Sequence, residues 1–319
     1  MKNKTFKPAW WLGNPHCQTL WPFIFRTRIK KEDVTRERFE LPDGDFIDLD
    51  WAGKSNGPIV FIFHGLEGSS QSHYAKGLLR CITQKGWRGL FVHFRGCSGE
   101  HNRLPRSYHS GDTGDIGYLI NTIHQREPHI RLAAIAISLG SNALLKWLGE
   151  TGSKNPLSAA IAISVPFDLY QSVKHMEKGF ARLYQWHLVK QLRHRLSKKF
   201  QLTPPAIPAH PLSSIKTIFH IDDHITAPLH GFKDAKEYYA LSSCKQFLKN
   251  IQIPTLIIHA KDDPFIPAHI IPSANELSPF IQLELSENGG HVGFVSGAFP
   301  GYATYWLEER IPVFLKEHF

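Results

Sequence analysis

The chain has 319 residues, of which 42% are hydrophobic and 20% charged; this excludes a disordered protein and allows a full core without disulfides or metals. No apolar run approaches the ~18 residues of a membrane span, and Trp10-Trp11-Leu12 breaks at Gly13-Asn14-Pro15-His16 instead of forming a signal-peptide core, so a cytoplasmic protein is expected. The net charge of +9 is uneven, with +6 in residues 1–38 and +7 in residues 171–200 on a slightly acidic remainder, a pattern that suits an anionic partner; no nucleic-acid-binding signature accompanies it.

In chain order, Arg38–Leu41 and Phe46–Trp51 alternate apolar and polar around Pro42-Asp43-Gly44-Asp45. They predict a hairpin of half-buried strands. The pattern then changes to continuous apolar runs at 58–63, 89–92, 132–137, 159–163 and 254–258, the mark of parallel strands covered on both faces. Helices are predicted at His73–Lys85, Asp115–His124 and Asn142–Gly149. A strand–helix rhythm after an antiparallel opening defines an α/β fold with a mostly parallel central sheet. Between about 167 and 247 the rhythm breaks. Phe180, Leu183, Tyr184, Leu188, Leu192 and Leu196 form one helical stripe, predicting a helical cap inserted over the sheet edge. The helix is basic enough to lie on an anionic membrane surface, although packing on the sheet is the commoner use of such a stripe.

Ile135-Ala136-Ile137-Ser138-Leu139-Gly140-Ser141 joins a buried strand to a helix. A nucleophile elbow, G-x-S-x-G, holds its serine in a strained turn that projects the hydroxyl above the sheet, and small flanking residues let the chain turn that tightly. Here the pattern is A-x-S-x-G, with Ser138 as the candidate nucleophile. The acid and the base are expected in that order after it. The strand 255–258 leads into Asp262-Asp263-Pro264, and the strand 281–285 leads into Gly289-Gly290-His291. Both carboxylates compete for the acid role. Asp263 is favoured because Asp-Pro fixes the turn and leaves Asp262 free to face solvent. His291 is the candidate base. Backbone donors for an oxyanion are expected from Leu139, directly after the serine, and from Leu66 in His64-Gly65-Leu66-Glu67-Gly68.

Rival chemistries are weaker. Cys97 as a thiol nucleophile lacks an elbow, and the four cysteines (Cys17, Cys81, Cys97, Cys244) form no C-x-x-C pair. His220 and His224 flank Asp222 and Asp223 at ligand spacing, but a loop or interface position is the better expectation than a metal. No metal or organic cofactor is expected.

Taken together, Asn14–Leu20, Leu41–Asp45, His64–Ser69, His93–Glu100, Tyr108–Gly111, His175–Phe180, His259–Phe265 and Gly289–Phe294 resemble the YheT-like branch of the α/β-hydrolases, related to the mammalian α/β-hydrolase-domain lipases and fungal ethanol acyltransferases. The resemblance runs nearly end to end. It implies one α/β-hydrolase domain over 1–319 with the cap inserted, a Ser138–Asp263–His291 triad, and hydrolysis of a small-molecule acyl ester through an acyl-enzyme. Acyl transfer to a short alcohol is the alternative on the same residues. A membrane-surface or protein-binding module without turnover is the alternative of another class. Ala136 for the first elbow glycine and Ser141 for a second one are departures from the pattern.

Overall fold

A computed structural model describes residues 5–26, 32–54, 56–208 and 210–319. Eight strands form one sheet in the order β1 (Val34–Glu40), β2 (Phe46–Ala52), β4 (Arg88–His93), β3 (Ile59–Phe63), β5 (Leu132–Ile137), β6 (Leu157–Ile163), β7 (Thr255–Ala260) and β8 (Ile281–Ser286). The two junctions made by β2 are antiparallel, and every later pairing is parallel. The apolar runs read from the sequence are these parallel strands, and helices bury both their faces. On one face α3 (Gly114–Arg126) and α4 (Leu139–Thr151) pack against Phe61, Phe63 and Ala134. On the other, α2 (His73–Thr83), α10 (Trp306–Lys316) and Phe6 cover Ile62, Ile135 and Ile258.

The opening hairpin differs from its alternating pattern. Strand β1 is mostly exposed, but β2 is buried on both sides, carboxylates included. Cross-strand pairing accounts for this. Arg38 faces Asp48 and Arg36 faces Asp50 in register, and each guanidinium reaches its carboxylate, at 3.0 and 2.7 Å. His93 of β4 adds a second contact to Asp50 at 2.8 Å. Buried acids are tolerated where such partners are supplied.

The β6–β7 connection carries α5 (Leu169–Met176), α6 (Ala181–Leu202), α7 (Ile218–Ile221), a π-helical turn at Asp222–Thr226, α8 (Ala227–Leu229) and α9 (Ala235–Ser242). These helices share their own core, including Val173, Leu192, Leu196, Ile218, Tyr238 and Tyr239. The following 3-10 turn, Cys244–Asn250, packs instead on α4, with Cys244 and Leu248 in the sheet-side core. His220 and His224 are helical, not in a loop, and His224 stacks on His210 at 4.0 Å.

Helix α6 corrects the expected stripe. Its buried side is Ala181, Gln185, Val189, Leu192, Leu196 and Lys199, whereas Phe180, just before it, and Leu183 are exposed. The predicted basic face is split as well. Lys199 is fully buried, bonded to Asn102 Oδ1 and, at 2.9 Å, to the Arg106 carbonyl, and burial lowers its ammonium to about 8. Arg195 is turned inward onto Glu67 at 2.9 Å, with side chains 12% and 9% exposed. Arg182, Lys190 and Lys198 remain on the surface. Removing one partner of a buried ion pair costs about 3–5 kcal/mol. Arg195→Met is therefore expected to lower the thermal midpoint, whereas Lys190→Met leaves it nearly unchanged; equal midpoints for the two variants would show that the Arg195–Glu67 pair does not hold the cap helix.

Candidate active site

Ser138 sits between β5 and α4 with φ +51° and ψ −116°. A non-glycine residue with positive φ is strained and must be held by its surroundings. Its amide donates to the Ile163 carbonyl at 2.9 Å. Gly140 has no room for a side chain, since a Cβ there would lie 2.5 Å from the His64 carbonyl oxygen and 3.0 Å from that of Phe63. The two departures from the elbow pattern have local explanations. Ala136 pairs in register with Phe63 and Ala162 inside the sheet, where a methyl fits. Ser141 is fully buried, and its hydroxyl donates to the Ile163 carbonyl and accepts the Ile163 amide, both at 3.0 Å, so it ties α4 to β6.

Asp263 and His291 arrive from the loops after β7 and β8. His291 Nε2 lies 3.0 Å from Ser138 Oγ, and Nδ1 lies 2.8 Å from Asp263 Oδ2. The Asp263 side chain is sealed from solvent, and its other oxygen accepts the Phe265 amide at 2.8 Å. With Nδ1–H donated to the carboxylate, Nε2 is left to accept the serine proton. The Phe265 ring stacks on the imidazole at 4.1 Å and 8°. Asp262 does not face solvent, as its sequence position suggested. Its Oδ1 accepts the Gly290 amide at 2.9 Å, its Oδ2 is buried with no hydrogen-bond partner among the described residues, and burial raises its pKa. The two adjacent acids thus hold different parts of one loop: the ring and its backbone.

The turn after β3 is rigidly built. His64 is fully buried and kept neutral, its pKa lowered by burial to about 3. Its Nδ1–H donates to the Gly65 carbonyl at 2.6 Å, and Nε2 accepts the Phe94 amide at 3.1 Å. Gly65 faces the serine closely, a Cβ there falling 3.2 Å from Ser138 Cβ. Glu67, at φ +54°, donates its amide to the Tyr108 hydroxyl at 2.9 Å, and its carboxylate accepts from Arg195 Nε at 2.9 Å. Among the described residues, neither the Leu66 nor the Leu139 amide has a backbone or side-chain acceptor. Both residues line the cavity that Ser138 and His291 open into.

That cavity, about 780 Å³, lies between the sheet and the inserted helices. Leu20, Leu183, Leu188, Ile218, Ile225 and Leu229 are part of its apolar wall. All six residues of the stripe read from the sequence line this space, Leu192 and Leu196 while also sharing the core of the inserted helices. Cys97 does not line this cavity, and burial pushes its thiol up to about 12. Among the described residues no group of three His, Cys, Asp or Glu could hold a metal ion, and no helix is long and apolar enough to cross a membrane. Phe265, Glu67 and Thr19, whose hydroxyl accepts the His291 amide at 2.9 Å, belong to the site but were not singled out from the sequence. Each lies in a stretch that carries the family resemblance, which flags the stretch without giving the contact.

Residues 58–298 match the model of the alpha/beta hydrolase fold. The chain is 43% identical to YheT of Escherichia coli (strain K12), an inferred esterase, over 98% of this chain and 93% of that one. It is 30% identical to mouse phospholipase ABHD3 over 95% of this chain and 76% of that protein. The solved Pyrococcus furiosus esterase Pf2001 superposes with a TM-score of 0.61 at 16% identity, over 100% of this chain and 99% of that one. An elbow serine on a mostly parallel sheet and a full-length match to YheT lead to one assignment: the chain belongs to the α/β-hydrolase family, in its YheT-like branch.

Proposed function

We propose that this protein is a serine carboxylesterase of lipase type, one catalytic domain over 1–319 with 167–247 as its cap. The observation that carries the reading is the continuous Asp263–His291–Ser138 hydrogen-bond chain, at 2.8 and 3.0 Å, opening into an apolar cavity. Ser138 Oγ attacks the ester carbonyl while His291 Nε2 takes its proton. Asp263 keeps the imidazole in the right tautomer and stabilises it when charged. The Leu66 and Leu139 amides hold the oxyanion, and loss of one such donor typically costs about 10²–10³ in rate. His291 then protonates the leaving alcohol, and water, activated by the same imidazole, hydrolyses the acyl-enzyme. The named activities of the relatives, esterase and phospholipase, agree with ester chemistry. One fluorophosphonate probe per chain, attached at Ser138, is the expected labelling result. A chain that stays unlabelled while folded would leave the fold without turnover.

The cavity mouth suits a lipid-borne ester. Phe23 of α1 (Pro15–Phe25), Phe180 just before α6 and Leu183 in its first turn line it while remaining exposed, and Ile24, Phe25 and Trp186 on the same two helices are exposed as well. Arg182 and Lys190 of α6 are exposed too, and exposed apolar and basic side chains on one helix suit peripheral contact with an anionic bilayer at the cytoplasmic membrane face. The unmodified protein is expected to co-sediment with phosphatidylglycerol vesicles, less so as salt shortens the Debye length below ~10 Å. Combining Ile24→Ser, Trp186→Ser and Lys190→Glu should weaken sedimentation and spare turnover of a small soluble ester. Indifference of the unmodified protein to such vesicles at low salt removes the membrane contact.

A further inference from the structure

The stretch Asn14-Pro15-His16-Cys17-Gln18-Thr19-Leu20 bears none of the reacting groups, yet it lies against the loop that carries His291. Asn14 caps α1 by accepting the His16 amide at 2.8 Å, with Pro15 at the first helical position. One turn further on, Gln18 and Thr19 face residues 289–295. The Thr19 hydroxyl donates to the Pro15 carbonyl at 2.7 Å and accepts the His291 amide at 2.9 Å. Gln18, fully buried, holds Val295 at both ends: Nε2 donates to its carbonyl at 3.0 Å and Oε1 accepts its amide at 2.8 Å.

Between these anchors the loop is strained. Val292 and Phe294 have φ of +60° and +44°, conformations that β-branched and bulky residues keep only when the surroundings hold them. Apart from the two-residue pairing of Val295–Ser296 with Thr304–Tyr305, no strand ladder among the described residues does so. The amides of Gly290, His291, Val292 and Val295 are instead taken by side chains, those of Asp262, Thr19, Ser164 and Gln18. The fit to α1 is close, since a Cβ on Gly290 would lie 2.6 Å from Thr19 Oγ1 and one on Gly293 2.3 Å from the Gln18 carbonyl oxygen.

We propose that Thr19 is a positioning residue for His291, its hydroxyl fixing the backbone of the general base so that Nε2 stays within reach of Ser138, with Gln18 as the second anchor of the same loop. The inference rests on the esterase reading above. A small displacement of a proton-transfer group is costly, because the reacting atoms must meet at near-attack distance.

The test compares Thr19→Val, which keeps the shape and loses the hydroxyl, with Thr19→Ser, which keeps the hydroxyl. Thr19→Ala is the fallback if the valine variant does not fold. Asn14→Ala weakens the same helix without touching the loop. For folded protein well below its thermal midpoint, acting on a soluble p-nitrophenyl ester, Thr19→Val is expected to lower kcat about ten- to a hundredfold and leave KM within about twofold. Thr19→Ser should restore most of kcat, and Asn14→Ala should lower the midpoint while keeping kcat. Three results overturn the proposal: kcat kept in Thr19→Val and Thr19→Ala, no recovery in Thr19→Ser, or an equal loss of kcat in Asn14→Ala. Ser138→Ala is measured alongside. Turnover that survives in it defeats the esterase reading itself, whereas Ser138-dependent turnover that ignores Thr19 defeats only the positioning role.

Discussion

Ser138→Ala is expected to abolish ester hydrolysis and fluorophosphonate labelling while leaving the thermal midpoint nearly unchanged. Removing the nucleophile of such a triad lowers kcat by about 10⁶-fold. Among the described residues the hydroxyl's one hydrogen-bond partner is His291 Nε2, so the fold loses little when it is gone. The backbone that strains the residue is held by the Ile163 carbonyl and by the closeness of Gly140 to His64, which alanine does not disturb. The measurement is turnover of a soluble short-chain ester together with probe labelling. Full activity in this variant would transfer the nucleophile role elsewhere.

Asp263→Asn is expected to lower kcat by about 10⁴-fold, because an amide facing Nδ1 favours the wrong imidazole tautomer. Asp262→Asn is expected to have a far smaller effect, since its Oδ1 accepts a backbone amide from Gly290 and an asparagine oxygen accepts that proton equally well. The pair of variants separates two neighbours whose chemistry on paper is identical. A larger loss in Asp262→Asn than in Asp263→Asn would mean that the orienting acid has been misassigned.

The parallel strands were legible because each is buried on both faces, and a strand with no solvent side must be apolar at every position. The helix boundaries were close for the same kind of reason: α2 and α3 lie over the sheet with one apolar side, so a short-range pattern records them. Strand β2 was misread because its buried positions include Asp48 and Asp50. Their burial depends on Arg36, Arg38 and His93, partners that the local pattern does not pair with them.

The candidate site divides along the same line. Residue type, order and position at strand ends sufficed to name Ser138, Asp263, His291, Leu66 and Leu139 as candidates, because chemistry limits which side chains can serve and the fold limits where they can stand. Distances, and everything that holds the groups at those distances, depend on contacts across the chain. Thr19 meets His291 across 272 positions, and Glu67 meets Arg195 across 128. Composition and spacing read along one segment report its own burial. They do not report which distant side chain accepts a given amide, and that choice is what turned Asp262 to the loop backbone, Arg195 and Lys199 inward, and Thr19 and Gln18 onto the histidine loop.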